Sequence, residues 1–207
     1  NVSGDNNTAL GYQALASNTS ANSNTVVGYQ SMYYNQTGFG NVALGYNSMK
    51  GTANYTLAEY NIGIGYNSLF SVSNSAASNV GIGYNAGYSL TTGHNNYGLG
   101  QASLYYNQTG TFNVAVGRLA MYGIGGAYTG SDVNTAVGDS ALINIASGAD
   151  KNAAFGAQAL YNITTGSNNT AVGPHAGYYA NTSSSDNVFM GYYAGPASSA
   201  TVSSKLY

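Results

Sequence analysis

Apolar and polar positions alternate along this chain in short bursts, and the bursts recur on a fixed spacing. Each unit opens on an Asn, passes a variable and a small residue, and reaches a bulky apolar residue followed by a Gly. Two variable positions come next, then Ala or Ser, and then usually Leu, Met or Gly. The Asn stands at Asn7, Asn24, Asn41, Asn61, Asn79, Asn96, Asn113, Asn134, Asn152, Asn169 and Asn187. Four residues after each comes a glycine: Gly11, Gly28, Gly45, Gly65, Gly83, Gly100, Gly117, Gly138, Gly156, Gly173 and Gly191. Successive steps are 17, 17, 20, 18, 17, 17, 21, 18, 17 and 18 residues. Self-similarity of this kind marks a repeat architecture in which each unit packs mainly on its neighbours.

Every unit contains two apolar runs of four or five residues, split by the Gly and closed by a polar loop. Runs that short, bounded by Gly and Asn, predict strands and exclude helices. Asn-Gly, the strongest two-residue hairpin signal, occurs nowhere, although both residues are abundant. Strand-turn-strand coils stacked in parallel fit better than a meander of hairpins. The prediction is an all-β chain, a β-solenoid (β-roll) of about eleven coils of 17–21 residues. Residues 1–195 form the array, and a Ser-rich tail, 196–207, follows Gly195-Pro196.

Neighbouring residues of a strand point to opposite faces. The residue before the anchoring Gly is bulky (Leu10, Val27, Leu44 and so on to Met190), and the one before that is mostly Ala or Gly. The expectation is that the bulky set fills the coil and the small set admits another sheet or chain; the reverse assignment stays open. The Gly marks a corner where a Cβ would clash or φ is positive. The Asn side chains should form a ladder between coils. Two longer spacings place insertions at Lys50 to Tyr60 and Gly123 to Val133, expected to bulge from one side. Neither end resembles a polar capping unit, so both ends should meet something.

Composition narrows the partners. Only 5% of residues are charged, with four Lys plus Arg, six Asp plus Glu and a net charge of −2. Nucleic acid needs several cations on one face, and Lys50, Arg118, Lys151 and Lys205 are spread along the chain. Nucleic acid and membrane insertion are therefore excluded, the latter because no apolar run is long enough. The chain has no Cys, which removes disulfide and thiolate-metal schemes. It opens without Met or a signal-peptide pattern and reads as a mature or excised segment. The Asn, Ser, Thr, Gly and Tyr bias leans extracellular.

Catalytic chemistry finds little purchase. Asp5, Glu59, Asp132, Asp139, Asp150 and Asp186 share no motif, and His94 and His175 fall five coils apart. No active site, metal or cofactor is expected. The stretch Gly123 to Asp132 is a single loose copy of a pattern that binds calcium only in tandem, so it reads as an inserted loop. Asn-x-Ser/Thr triplets, as at Asn35, Asn54, Asn107 and Asn181, are no more than this composition yields by chance.

Tyrosine is the anomaly, with 21 residues against no Trp. Tyr12, Tyr29, Tyr46, Tyr66 and Tyr84 each follow an anchoring Gly, and Tyr33, Tyr88, Tyr105, Tyr122, Tyr161 and Tyr178 form a second series. The first set is the candidate binding strip, for sugars or a neighbouring fibre, since Tyr joins an apolar face to a polar tip. The plainer reading, which we favour, is that stacked rings cover the corners and pair between coils.

The segments Ala9-Leu10-Gly11-Tyr12-Gln13-Ala14 and Ala43-Leu44-Gly45-Tyr46-Asn47-Ser48 resemble the A-[ILV]-G-x-x-[AS] repeat of trimeric autotransporter adhesin heads. Asn168-Asn169-Thr170-Ala171-Val172-Gly173 is similar to repeats of phage tail-fibre-type proteins. The resemblance covers nearly the whole chain and implies a left-handed β-roll packed as a homotrimer. The coils are longer than those of adhesin heads, richer in Tyr, and without a heptad stalk. The expectation is a non-enzymatic fibre segment with an adhesive role on a virion or bacterial cell surface. Alternatives are a filament subunit stacking end to end and a glycan-binding module; the partners are then further copies of the chain, or cell-surface glycans.

Overall fold

The computed structural model describes residues 3–52, 58–73, 75–123 and 129–207. These residues are all β, with eleven three-residue strands and no helix. The strands are β1 (Thr8–Leu10), β2 (Thr25–Val27), β3 (Val42–Leu44), β4 (Ile62–Ile64), β5 (Val80–Ile82), β6 (Tyr97–Leu99), β7 (Val114–Val116), β8 (Thr135–Val137), β9 (Ala153–Phe155), β10 (Thr170–Val172) and β11 (Val188–Met190). They form one sheet in sequence order. Each neighbouring pair is parallel and joins like positions of successive units, as Ala43 with Gly63 and Leu44 with Ile64. One repeat is one rung of a β-solenoid.

The anchoring glycines stand in a column. Gly28 N–H donates to the Leu10 carbonyl and Gly45 N–H to that of Val27, both at 2.8 Å. Two constraints hold the position to Gly. The backbone there has φ near +130°, as at Gly65 (130°) and Gly117 (133°), a region that L side chains rarely enter. A Cβ would also strike the next rung, lying 2.1 Å from the Gly45 carbonyl oxygen if built on Gly28.

The second apolar run is not a strand. After the Gly the chain makes consecutive turns, closed by bonds such as Ala14 N–H to the Gly11 carbonyl (3.3 Å) and Asn18 N–H to the Leu15 carbonyl (3.3 Å). Its second and fourth residues adopt left-handed φ, for example Gln13 (53°) and Leu15 (55°), or Gln30 (48°) and Met32 (48°). That alternation curls the backbone. Extended pairing is lost, but the rung-to-rung bonds persist, with Leu15 N–H donating to the Ser31 carbonyl at 3.0 Å.

The two strand faces are the reverse of the expectation. The small middle residues are buried: Ala43, Ala115, Ala136, Ala154 and Ala171 have no exposure, and neither do Val26 and Phe189. The bulky residues before the Gly face outward, with Leu10 68% and Met190 65% exposed. The reason is width. The turn half of most rungs sends its own large apolar residue inward (Met32, Met49, Leu69, Leu104, Met121, Leu142 and Leu160 are all buried). Little room is left opposite: a Cβ on Gly63 would lie 2.6 Å from the Met49 Cγ, and one on Gly81 2.8 Å from the Leu69 Cγ. Three rungs carry Gly at that turn position. At Gly177 and Gly195 the strand supplies Phe189, whose ring a Cβ on either glycine would contact, and at Gly87 the Leu69 side chain of the preceding rung fills the space.

The asparagines form a buried ladder through β1–β11. Asn113 shows the scheme. Its Nδ2 donates to Asn96 Oδ1 (3.1 Å) and to the Ser131 carbonyl of the following rung (2.7 Å). Its Oδ1 accepts from the N–H (3.0 Å) and the Nδ2 (3.2 Å) of Asn134. The donors and acceptor of one amide are all used, and each amide spans three rungs. Serines at the small turn position add a shorter series in the early rungs, with Ser48 Oγ donating to the Gly63 carbonyl (2.8 Å) and Ser68 Oγ to that of Gly81 (2.6 Å).

The tail, where the sequence pattern stops, lies on β11 as a partial twelfth rung. Val188 pairs in parallel with Leu206. Met190 N–H donates to the Tyr207 carbonyl and Tyr207 N–H to that of Val188, both at 2.9 Å. Lys205 takes the place of the Asn, its N–H donating to Asn187 Oδ1 at 3.1 Å. The Tyr207 ring stacks on Phe189 at 5.3 Å. Residues 53–57 and 124–128 hold the middle of both insertions, including Asn54 and half of the Gly123–Asp132 stretch, so the expected bulges lie outside the described residues.

Two substitutions test this account. Asn113→Ala removes four bonds and strands the buried Asn134 N–H, so it should cost about 2–4 kcal/mol in urea unfolding; a loss below about 0.5 kcal/mol would contradict a ladder that matters. Gly117→Ala, whose Cβ would lie 2.5 Å from the Gly138 carbonyl oxygen, should disrupt the stack. Gly148→Ala has nothing within 4 Å and should cost only the left-handed φ, about 1–2 kcal/mol. Equal effects at the two glycines would mean that close approach is irrelevant.

Candidate functional site

The described residues enclose no pocket, so the candidate site is a surface. The first and third residues of every strand point outward, because only the middle one turns in. The third positions run Leu10, Val27, Leu44, Ile64, Ile82, Leu99, Val116, Val137, Phe155, Val172 and Met190. The first positions run Thr, Thr, Val, Ile, Val, Tyr, Val, Thr, Ala, Thr and Val. No charged side chain occurs in either column. Parallel strands about 4.8 Å apart, with outward residues about 7 Å apart along each strand, make a strip on the order of 500 Å². That is the size of the largest apolar patch a typical monomer exposes, and such patches are often functional.

One Gly further along each rung stands the tyrosine ladder. The rings of Tyr12, Tyr29, Tyr46, Tyr66 and Tyr84 stack in succession, with centroids 5.2, 5.0, 4.9 and 5.4 Å apart and planes within 14° of parallel. The spacing follows from the backbone, since identical residues in parallel register sit one inter-strand distance apart. All five rings are exposed, from 41% at Tyr29 to 63% at Tyr12. The sequence therefore placed these five side chains together correctly. Beyond them the column breaks into Gln101, then Arg118 and Asp139. That pair is bidentate, Nε to Oδ1 at 2.8 Å and Nη2 to Oδ2 at 3.2 Å; both partners are about half exposed, so it contributes little stability.

The second tyrosine series is only partly a stack. Phe70, Tyr88, Tyr105 and Tyr122 follow one another at 5.0, 5.1 and 5.2 Å, and Tyr161 lies 5.0 Å from Tyr178. Tyr33 instead meets Tyr34 edge-on at 4.6 Å. Burial, with neighbouring phenols adding to it, pushes the Tyr105 hydroxyl above its ordinary pKa. Burial does the same at Tyr122, reinforced by a hydrogen bond to Tyr106.

The histidines join these aromatic surfaces separately. His94 meets Phe112 edge-on at 5.8 Å, and His175 stacks on Tyr193 at 4.4 Å. Among the described residues no three His, Asp or Glu side chains come together. The repeated linker Tyr-Tyr-Asn-Gln-Thr-Gly, at 33–38 and 105–110, owes its form to its Asn. Asn35 Oδ1 accepts from Gly38 N–H at 3.0 Å, and Asn107 Oδ1 from Gly110 N–H at 2.9 Å, which folds each loop into the next Asn. Asn18 makes the same turn in a different linker, its Oδ1 accepting from Ala21 N–H at 2.7 Å.

Ring stacking should be measurable. Tyr46→Ala removes contacts to both Tyr29 and Tyr66 and should cost about 1–2 kcal/mol, whereas Tyr46→Phe keeps both rings in contact and should change urea stability by less than about 0.5 kcal/mol. An alanine variant as stable as the phenylalanine variant would show that the ladder contributes nothing to the stack.

No protein-family model matches the chain, and neither a curated protein nor a solved structure gives a match, so the resemblance to adhesin-head and tail-fibre repeats rests on the motif alone.

Proposed function

We propose that this chain is a non-enzymatic structural segment of an extracellular fibre, on a cell surface or virion, that assembles with copies of itself as a homotrimer and makes adhesive contacts. The observation that carries the reading is the outward strip of eleven uncharged rungs. A partner with the same rung spacing meets it along its whole length, and another copy has that spacing by construction. Three copies with their strips turned toward a common three-fold axis bury about 1,500 Å² in all, within the range of specific interfaces. Weak contacts through Tyr, Asn, Ser and Thr, repeated on three chains, gain strength by multivalency.

A second reading is an end-to-end filament. Every rung pairs in parallel register with like positions of the next, and a strand edge of that kind is a template for pairing with another copy.

Native mass spectrometry and electron microscopy of the purified chain separate these readings. The fibre-segment proposal expects a mass of three chains and discrete short rods. Rods that lengthen with concentration, with a meridional repeat of about 4.8 Å, would establish the filament instead. A compact monomer at all concentrations would defeat both. Binding of the trimer on a glycan array would identify sugars as what the adhesive surface contacts.

A further inference from the structure

The outer tyrosine ladder combines three properties that together define a reaction. Its rings are parallel at 4.9–5.4 Å, they are exposed to solvent, and almost nothing near them competes for an oxidant. The chain has no Cys and no Trp. Met32, Met49 and Met121 are fully buried, and the exposed Met190 lies on the last strand, far from rungs one to five. A one-electron oxidant arriving at those rungs therefore meets phenol first. The deeper stack is the poorer donor, because Tyr105 and Tyr122 hold their protons more firmly.

We infer that the ladder Tyr12, Tyr29, Tyr46, Tyr66 and Tyr84 is a site of oxidative phenol coupling between neighbouring rungs, with a haem peroxidase and hydrogen peroxide as the class of oxidant. Each of two adjacent phenols gives up one electron and its hydroxyl proton. The two radicals join through a new carbon–carbon bond between ring carbons ortho to the oxygens. Each ring then regains aromaticity as the hydrogen on its coupled carbon moves to the oxygen. Hydrogen peroxide takes up the two electrons and two protons and leaves as two waters, its O–O bond broken. Stacking brings the partners together without diffusion, and exposure lets the rings swing from face-on to edge-on contact. The product is a covalent staple between rungs of one chain. It depends on the single chain and not on how copies assemble.

The test is treatment of the whole protein with a haem peroxidase and hydrogen peroxide. Dityrosine fluorescence is read from the single-chain band of a denaturing gel, and bridged peptides are mapped by mass spectrometry. The expected bridges are Tyr12–Tyr29, Tyr29–Tyr46, Tyr46–Tyr66 and Tyr66–Tyr84. Replacing all five by Phe should remove more than half of the single-chain signal, although the other tyrosines remain. Tyr46→Phe alone, which keeps the stacked ring, should erase the two bridges involving Tyr46 and leave Tyr12–Tyr29 and Tyr66–Tyr84. An unchanged single-chain signal in the five-Phe variant, or bridges found only between chains or only at other tyrosines, would overturn the inference.

Discussion

A primary amide carries two donors and a carbonyl that accepts twice, and this fold uses all of them at one point in each rung from Asn24 to Asn169. The Asn Oδ1 takes both the N–H and the Nδ2 of the Asn above, as Asn61 Oδ1 does from Asn79 at 2.9 and 3.0 Å. Its own Nδ2 reaches down to the Asn below and up to the carbonyl that precedes the next Asn, as Asn79 does to Gly93 at 2.9 Å. Asp offers no donor, Gln is longer by a methylene, and Ser has a single donor. The position is buried from Asn24 to Asn187, where an unmet polar group costs most. Asn is thereby required by the bonding itself, and because each amide needs an amide on both sides, the requirement passes from rung to rung.

That constraint fixes the register, and the register fixes the rest. Once like positions lie one inter-strand distance apart, any residue that recurs makes a column. A recurring Gly allows the carbonyls of successive corners to approach as no Cβ permits. A recurring Tyr becomes a stack. A recurring Ala opposite Leu or Met gives a coil one side chain deep, in which size is traded between the two walls: Gly63 faces Met49, and Phe189 faces Gly177 and Gly195. Such a core has no large interior and needs no charge to define it, in keeping with a chain in which 5% of residues are charged.

The columns were legible in the sequence because they are statements about spacing, and spacing survives without coordinates. The glycine column, the Asn ladder and the five stacked tyrosines follow from it. What was not legible depended on backbone angles that the residues do not advertise. Leu15, Met32 and Met49 sit at φ of 55°, 48° and 50°, where a side chain of that kind is out of place on local grounds. Burial of those side chains offsets the strain, but nothing about Leu or Met announces it, and their run reads as a strand. The inside-outside assignment failed for the same reason, since the turn half decides which strand face has room. The tail reads as lying outside the array because its backbone pairing on β11 needs no motif. Lys205 supplies an N–H where every earlier rung supplies Asn, and that suffices for one bond.

A stack held by identical nearest-neighbour terms is quasi-one-dimensional. Stability then grows with the number of rungs, and a weak rung divides the rod instead of unfolding the whole. Rungs four and eight, which follow the two insertions, keep the full bonding: Asn61 accepts from and donates within the ladder, and Asn134 bonds Asn113, Asp132 and Ala149. Extra residues between one turn and the next Asn thus leave the spine intact, because the ladder tests only where each Asn arrives, not the path taken to reach it. The same tolerance lets the outer columns vary from Tyr to Arg118, Asp139 or Pro174 without disturbing the spine. Spine and surface identity are in this way assigned to different positions of one short repeat, so that the number of rungs and the residues on the outer columns can change independently.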